Sequence, residues 1–241
     1  MAPLLRVEGT YPNPVVFTLG WLRARARPWN EEIPEPMLRL ERGGSDFLDE
    51  VSARLHELAP TVYSPALYPG STRVWRRGGY LLHAELEVME RPLSSSADAE
   101  PADIPVAEGA NGDWEGVLDV DRAAFDGFWG MSRLGLEEAY GTNRANVLLV
   151  TADSAGIAGY ALVGAQWGVA YLHRIAVHPD RAGRGVGSAL LEASMAWGRR
   201  HGGRSMVLNV RSDNRAARHL YEKHRFSGTG TQLQVLRHDL L

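Results

Sequence analysis

The sequence predicts an α/β (α+β) fold with a mixed, mostly antiparallel central sheet flanked by helices, and three observations carry the prediction. Apolar runs at 146–151, 157–164 and 168–177 follow one another across short turns, the first at Asp153-Ser154-Ala155-Gly156, as the strands of a meander do. Two helical patterns, at 114–125 and 134–140, precede these strands and enclose an aromatic loop with Phe128 and Trp129. The strand at 172–177 then passes through Gly183-Arg184-Gly185-Val186-Gly187 into a helix in which Leu190, Ala193, Ser194 and Trp197 recur at helical spacing.

That last turn has the residues of an anion site. Glycine reaches positive φ without penalty and lets backbone N–H groups approach a ligand closely. The first-turn amides of the helix have no partner within the helix and lie at the positive end of its dipole, so a pyrophosphate is favoured there. Gly183, Arg184, Gly185, Val186, Gly187 and Ser188 are the predicted contacts, with the Arg184 guanidinium and the Ser188 hydroxyl as helping side chains. A simple tight turn is the alternative. Two nucleotide-binding patterns are excluded: Ser188 stands where the dinucleotide fingerprint needs its third glycine, and no glycine-Lys-Ser/Thr ending is present.

Composition limits the partners. In 241 residues, 44% hydrophobic, there is apolar surface enough for one large or two modest domains. A net charge of −3 with scattered arginines predicts no nucleic-acid surface. The N-terminus has no apolar stretch of signal or spanning length, so neither secretion nor a membrane partner is predicted. With no cysteine, disulfides, thiolate metal sites and a cysteine nucleophile are excluded, no metal site is predicted, and the cytoplasm is the expected compartment.

The segment from Leu208 to Lys223 follows the glycine turn at one strand-plus-helix remove. Taken together, Ile175-Ala176-Val177, Gly185, Gly187, Asn214, Ala217, Leu220, Tyr221 and Phe226 resemble the two signatures of the GNAT superfamily, the acetyl-CoA-dependent N-acetyltransferases. Leu208-Asn209-Val210-Arg211 is similar to the Leu-Glu-Val-Arg run of ribosomal-protein alanine N-acetyltransferases. Two positions depart: Ala182 stands where Gln or Arg is usual, and Arg225 replaces the glycine before Phe226. Arg181 or Arg184 would then supply the missing charge.

The resemblance implies a GNAT fold over 103–241 and a direct transfer of acetyl from acetyl-CoA, the co-substrate, to a primary amine. It implies that free amides near Ile175, Ala176 and Val177 hold the acetyl and pantetheine groups, that Asn214 contacts CoA as well as capping its helix, and that Tyr221 serves the CoA sulfur, with a core-filling role as its alternative. Asn209 cannot take a proton, so the base is open: His173, directly or through water, or Glu137, Glu138, Asp121 or Asp126. The loop at 125–130 would line the acceptor groove, and the neighbouring acids would draw in an ammonium group. A protein or peptide N-terminus and a small amine both remain as acceptors, and a non-catalytic acetyl-CoA-binding module is the rival class. The oligomeric state is not written in the chain.

Residues 93–102, rich in Ser, Ala, Asp and Pro, read as a linker between 1–92 and 103–241. The first part echoes the last. Trp75 and Tyr221 are 146 residues apart (221 less 75), as are Tyr80 and Phe226, and Gly79 fills the position that Arg225 takes. The helical pattern Phe47 to Leu58 follows Gly43-Gly44, all that remains of a glycine loop. The expectation is a shortened GNAT-like half that does not bind CoA.

Overall fold

The computed structural model describes residues 4–93 and 104–240. The chain divides into two compact units, residues 1–87 with 231–241, and residues 88–230. Chain order in the first is β1 (Arg6–Glu8), β2 (Val15–Leu19), β3 (Leu22–Pro28), β4 (Pro36–Arg42), α1 (Ser45–His56), β5 (Thr61–Tyr63), α2 (Thr72–Arg77) and the start of β6 (Leu81–Pro92). In the second come β7 (Ala107–Glu108), α3 (Trp114–Ala124), α4 (Arg133–Tyr140), β8 (Ala145–Asp153), β9 (Gly156–Gln166), β10 (Val169–Val177), α5 (Val186–Arg200), β11 (Ser205–Arg211), α6 (Arg215–Lys223) and the start of β12 (Ser227–Asp239). Among the described residues no helix is long and apolar enough to cross a membrane.

The division differs from the sequence expectation at two points. Residues 231–241 group with the first unit, because β12 pairs there with β5 through Arg237↔Tyr63, His238↔Val62 and Asp239↔Thr61, and Leu236 is fully buried among first-unit residues. Of the linker expected at 93–102 only Leu93 lies within the described residues. It is 7% exposed, packs in the core of the second unit and donates its N–H to Arg204 O at 2.7 Å.

The strand order in the first unit is β1-β2-β3-β4-β5-β12-β6. Alternate residues Val15 and Phe17 of β2 and Ala24 and Ala26 of β3 face α1, whose Phe47, Leu48, Val51 and Leu55 are at helical spacing on its buried side. Trp75 and Tyr80 close this core edge to face, ring centroids 4.8 Å apart, and the Tyr80 hydroxyl bonds Ser52 Oγ at 2.7 Å. The strand–helix–strand unit β4–α1–β5 places its strands in parallel, paired through Met37↔Tyr63, as β10–α5–β11 does in the second unit through Val169–Leu172 and Ser205–Leu208.

The second unit has the order β6-β11-β10-β9-β8-β7 and two cores, one on each sheet face. Strand alternation sorts the residues: Val147, Leu149, Ala161 and Val163 pack with Leu190, Leu191 and Met195 of α5, whereas Leu148, Val150, Tyr160 and Leu162 pack with Val117, Leu118 and Leu136 of α3 and α4. In β10 the alternation slips. Leu172 pairs with Val163, but the next pair is Arg174↔Leu162, so His173 is the extra residue of a β-bulge. Leu172 therefore faces α5, Arg174 and Ala176 turn toward α3, and Ile175 and Val177 return to the α5 side.

Candidate functional site

The bulge begins a wedge in the sheet. β10 and β11 are paired in parallel from Val169↔Ser205 to Leu172↔Leu208, after which β10 continues along β9 to Val177↔Gly159 without a partner on β11. Backbone groups on that edge of 173–177 lack the ladder that normally satisfies them, which leaves them for a ligand. The glycine loop lies where this arm ends. Gly183 and Gly185 take φ of +75° and +87°, and a Cβ added at Gly183 would meet nothing within 4 Å. Gly185 caps α5 without a side-chain bond, and the first return bond is Ala189 N–H to Gly185 O at 3.0 Å, so Val186, Gly187 and Ser188 present unpaired first-turn amides. A Cβ on Gly187 would stand 3.3 Å from Leu220 and 3.6 Å from Val177, so glycine here sets how closely α5 approaches both.

Of the two arginines considered as replacements for the missing charge, Arg181 is committed elsewhere. It holds Asp153 through Nε at 3.1 Å and Nη2 at 3.2 Å, and those hydrogen bonds keep the Asp153 carboxyl below its usual range. Arg184 is exposed on the loop.

Tyr221 on α6 is 5% exposed, its ring 6.0 Å from that of Phe226. Burial pushes its hydroxyl well above the ordinary tyrosine range, against a smaller pull from the Arg174 charge, so it stays protonated. Asn214 Oδ1 accepts from Ala217 N–H at 3.1 Å, which is the helix-capping role. His173 is half-buried, its Nε2 bonded to Asn143 Oδ1 and its ring stacked on Tyr171. Burial lowers its pKa to about 4, which makes it a weak proton acceptor and argues against the base role expected from the sequence.

Three of the four acids divide as well. Asp121 is fully buried and accepts from Tyr160 Oη, from Arg174 Nε at 2.8 Å and Nη2 at 3.0 Å, and from Met131 N–H at 2.9 Å. It is therefore not available to an ammonium group. Glu137 pairs with Arg133 at 2.6 Å. Asp126 remains exposed, 3.6 Å from Arg211, at a pocket of about 480 Å³ that Phe125, Arg211 and Asn214 also line. The expected aromatic loop is a single tight turn at 127–129, with the Phe128 and Trp129 rings edge to face at 5.3 Å.

A family model described as the acetyltransferase (GNAT) family matches residues 114–226. Residues 114–226 are a GNAT acetyltransferase domain. GNAT acetyltransferases use acetyl-CoA as co-substrate, and the wedge with its open glycine loop fits that molecule: free amides for a diphosphate, and an unpaired strand edge for an amide-bearing arm. Among curated proteins, the mycothiol acetyltransferase of Clavibacter michiganensis is 26% identical over 97% of this chain and 80% of its own length. That of Saccharopolyspora erythraea is 28% identical over 73% of this chain, which spans 61% of the relative.

Solved structures similar to the chain include a tandem GNAT protein from the clavulanic acid biosynthesis pathway, with TM-score 0.64 and 14% identity over 99% of this chain and 84% of that one. A GCN5-related N-acetyltransferase from Sphaerobacter thermophilus has TM-score 0.55 and 20% identity over 94% and 80%. At these identities the likeness concerns the fold, and it extends beyond the GNAT domain to the first unit.

Within the GNAT domain the structure brings Ile175–Val177, Gly183–Ser188, Asn214 and Tyr221 onto the wedge and its two flanking helices. Sequence reasoning missed Arg174. A signal was present: apolar residues fall at 170 and 172, then at 175 and 177, and that change of phase marks the one-residue bulge that redirects Arg174 to Asp121.

Proposed function

We propose that the GNAT domain transfers the acetyl group of acetyl-CoA directly to the primary amine of a small molecule. The observation that carries this reading is the unpaired arm 173–177 of β10 leading into a loop whose next helix begins with three free amides. In this reading the amides of 183–188 hold the diphosphate, and main-chain N–H groups near Ile175, Ala176 and Val177 orient the acyl arm and take the oxyanion. The relatives named mycothiol acetyltransferase favour a small-molecule acceptor over a protein N-terminus. The cysteine-free sequence fits a cytoplasmic setting.

Proton handling follows from the side chains at hand. Tyr221, with its raised pKa, is a hydrogen-bond donor to the sulfur rather than a net acid, since a thiolate whose thiol has a pKa of about 8.5 would not take its proton outright. The proton comes instead from the attacking nitrogen, which is acidic once bonded to carbon. His173 is not required as a base, and the amine enters in its neutral form. In the first unit the start of α1 carries Asp46 in its first turn, and the Phe47 ring lies 2.6 Å from where a Cβ of Gly43 would stand. A carboxylate there opposes a phosphate, so the first unit is read as a half that does not bind CoA.

The test is product mass spectrometry with acetyl-CoA and a panel of tyramine, spermidine, cysteine methyl ester and an alanyl tetrapeptide. A mass gain of one acetyl group on a small amine is expected. Acetyl-CoA binding with no acetylated product from any of them would favour a non-catalytic binder.

A further inference from the structure

Three close contacts to the loop at 125–131 come from one ion pair, Arg174 with the fully buried Asp121. The Arg174 guanidinium lies 3.5 Å over the Phe125 ring and donates to Trp129 O at 2.7 Å, while Asp121 accepts from Met131 N–H at 2.9 Å. We propose that Arg174 is a positioning residue for acetyl transfer: it fixes the acceptor loop to the open arm of β10, and so sets where the amine stands relative to the acyl group. The proposal rests on the acetyltransferase reading given above.

The bulge at His173 makes this possible. One extra residue turns Arg174 away from α5 and onto the α3 face, while Ile175, next in the chain, stays on the arm assigned to the acyl group. Only a guanidinium can serve the site, because Nε and Nη2 grip the carboxylate side by side, Nη2 also reaches the loop carbonyl, and the planar face stacks on Phe125. Lysine keeps the charge and loses that geometry. A buried ion pair is seldom needed for stability alone, since apolar residues of similar volume often replace one without loss. What they cannot replace is the bond to Trp129 O and the bond from Met131 N–H.

The other arm of the wedge holds the same loop more loosely. Arg211, near the end of β11, stands 5.1 Å from the Trp129 ring and 3.6 Å from Asp126, and it is shared with Asp213 at 2.5 Å. The loop is thus held by close contacts from β10 and α3 and by longer ones from β11, and Phe125, Asp126 and Arg211 line the pocket beside it.

The test compares wild type, Arg174→Lys and the double variant Asp121→Leu/Arg174→Met, using the small amine of the panel with the highest turnover. Hydrogen exchange of 125–131 is followed together with amine KM, kcat and the acetyl-CoA Kd. In the folded double variant the loop should exchange at least about tenfold faster and the amine KM should rise about tenfold or more. The acetyl-CoA Kd should stay within about twofold, with Arg174→Lys between the two. Unchanged exchange and KM in a folded variant would overturn the proposal, as would an acetyl-CoA Kd that rises as much as the amine KM. If the double variant does not fold, the same readouts on Arg174→Lys decide. If wild type acetylates none of the panel, the transfer reading itself fails, and loop exchange alone judges the anchoring.

Discussion

Gly79 and Arg225, 146 residues apart (225 less 79), adopt the same left-handed turn, with φ of +79° and +61°. Each follows a short helix and precedes a buried aromatic that bonds back five residues, Tyr80 N–H to Trp75 O at 3.1 Å and Phe226 N–H to Tyr221 O at 2.9 Å. This is the Schellman way of ending a helix, and the repetition supports a common design for the two halves. Only the second carries a non-glycine residue at the strained position. Arg225→Gly should therefore stabilise the protein by roughly 0.5–1 kcal/mol, whereas Gly79→Ala should destabilise it by about 1 kcal/mol or more. A Cβ at 79 would also crowd His238 at 3.1 Å. Urea unfolding of the two variants checks the opposite signs.

Tyr221→Phe removes a hydroxyl and nearly nothing else from a site that is already apolar. The expected result is a kcat lower by roughly 100-fold with acetyl-CoA affinity unchanged, as for loss of one donor to developing charge. Equal losses in kcat and in binding would mean that the ring, not the hydroxyl, matters.

The charge near the glycine loop can be apportioned. Because Arg181 is held by Asp153, Arg181→Gln should change the acetyl-CoA Kd less than about threefold, while Arg184→Gln should weaken it by several-fold, with a shallower salt dependence. Calorimetry in 50 and 300 mM salt separates the two.

His173 links stability to pH. Its folded pKa, about 4, lies below the ordinary histidine value, so between that value and about 6.5 the unfolded chain binds the extra proton and stability rises with pH. The contribution is complete above pH about 6.5 and is lost as pH falls toward 4, amounting at most to about 3 kcal/mol. His83 and His238 are also lowered by burial and act in the same direction. Unfolding of wild type against His173→Gln from pH 4 to 8 isolates the His173 part: the slope below pH 6.5 should be smaller in the variant. The same variant should retain the wild-type pH dependence of kcat/KM, which follows the amine.

Much of the second unit was legible because its signals are local. Alternating runs marked β8, β9 and β10 to within two residues at each end, and the glycines at 183, 185 and 187 marked the turn into α5. The boundary between units was not legible, since it depends on β12 pairing with β5, a contact between residues far apart in sequence. Site chemistry was not legible where partners decide it. Nothing in the residue name says that Asp121 is buried under Tyr160 and Arg174 or that Asn143 holds His173, so an acid and a histidine that look available in the sequence are already engaged in the fold.

The proposed transfer depends on backbone amides of 183–188 binding the diphosphate of acetyl-CoA. Parallel calorimetric titrations with acetyl-CoA and with S-acetylpantetheine, which lacks the diphosphate and nucleotide, test it most directly. Saturable one-to-one binding of acetyl-CoA is expected, with affinity for S-acetylpantetheine weaker by about 100-fold or more. No binding of acetyl-CoA to the folded protein, or equal affinity for the two, would contradict it.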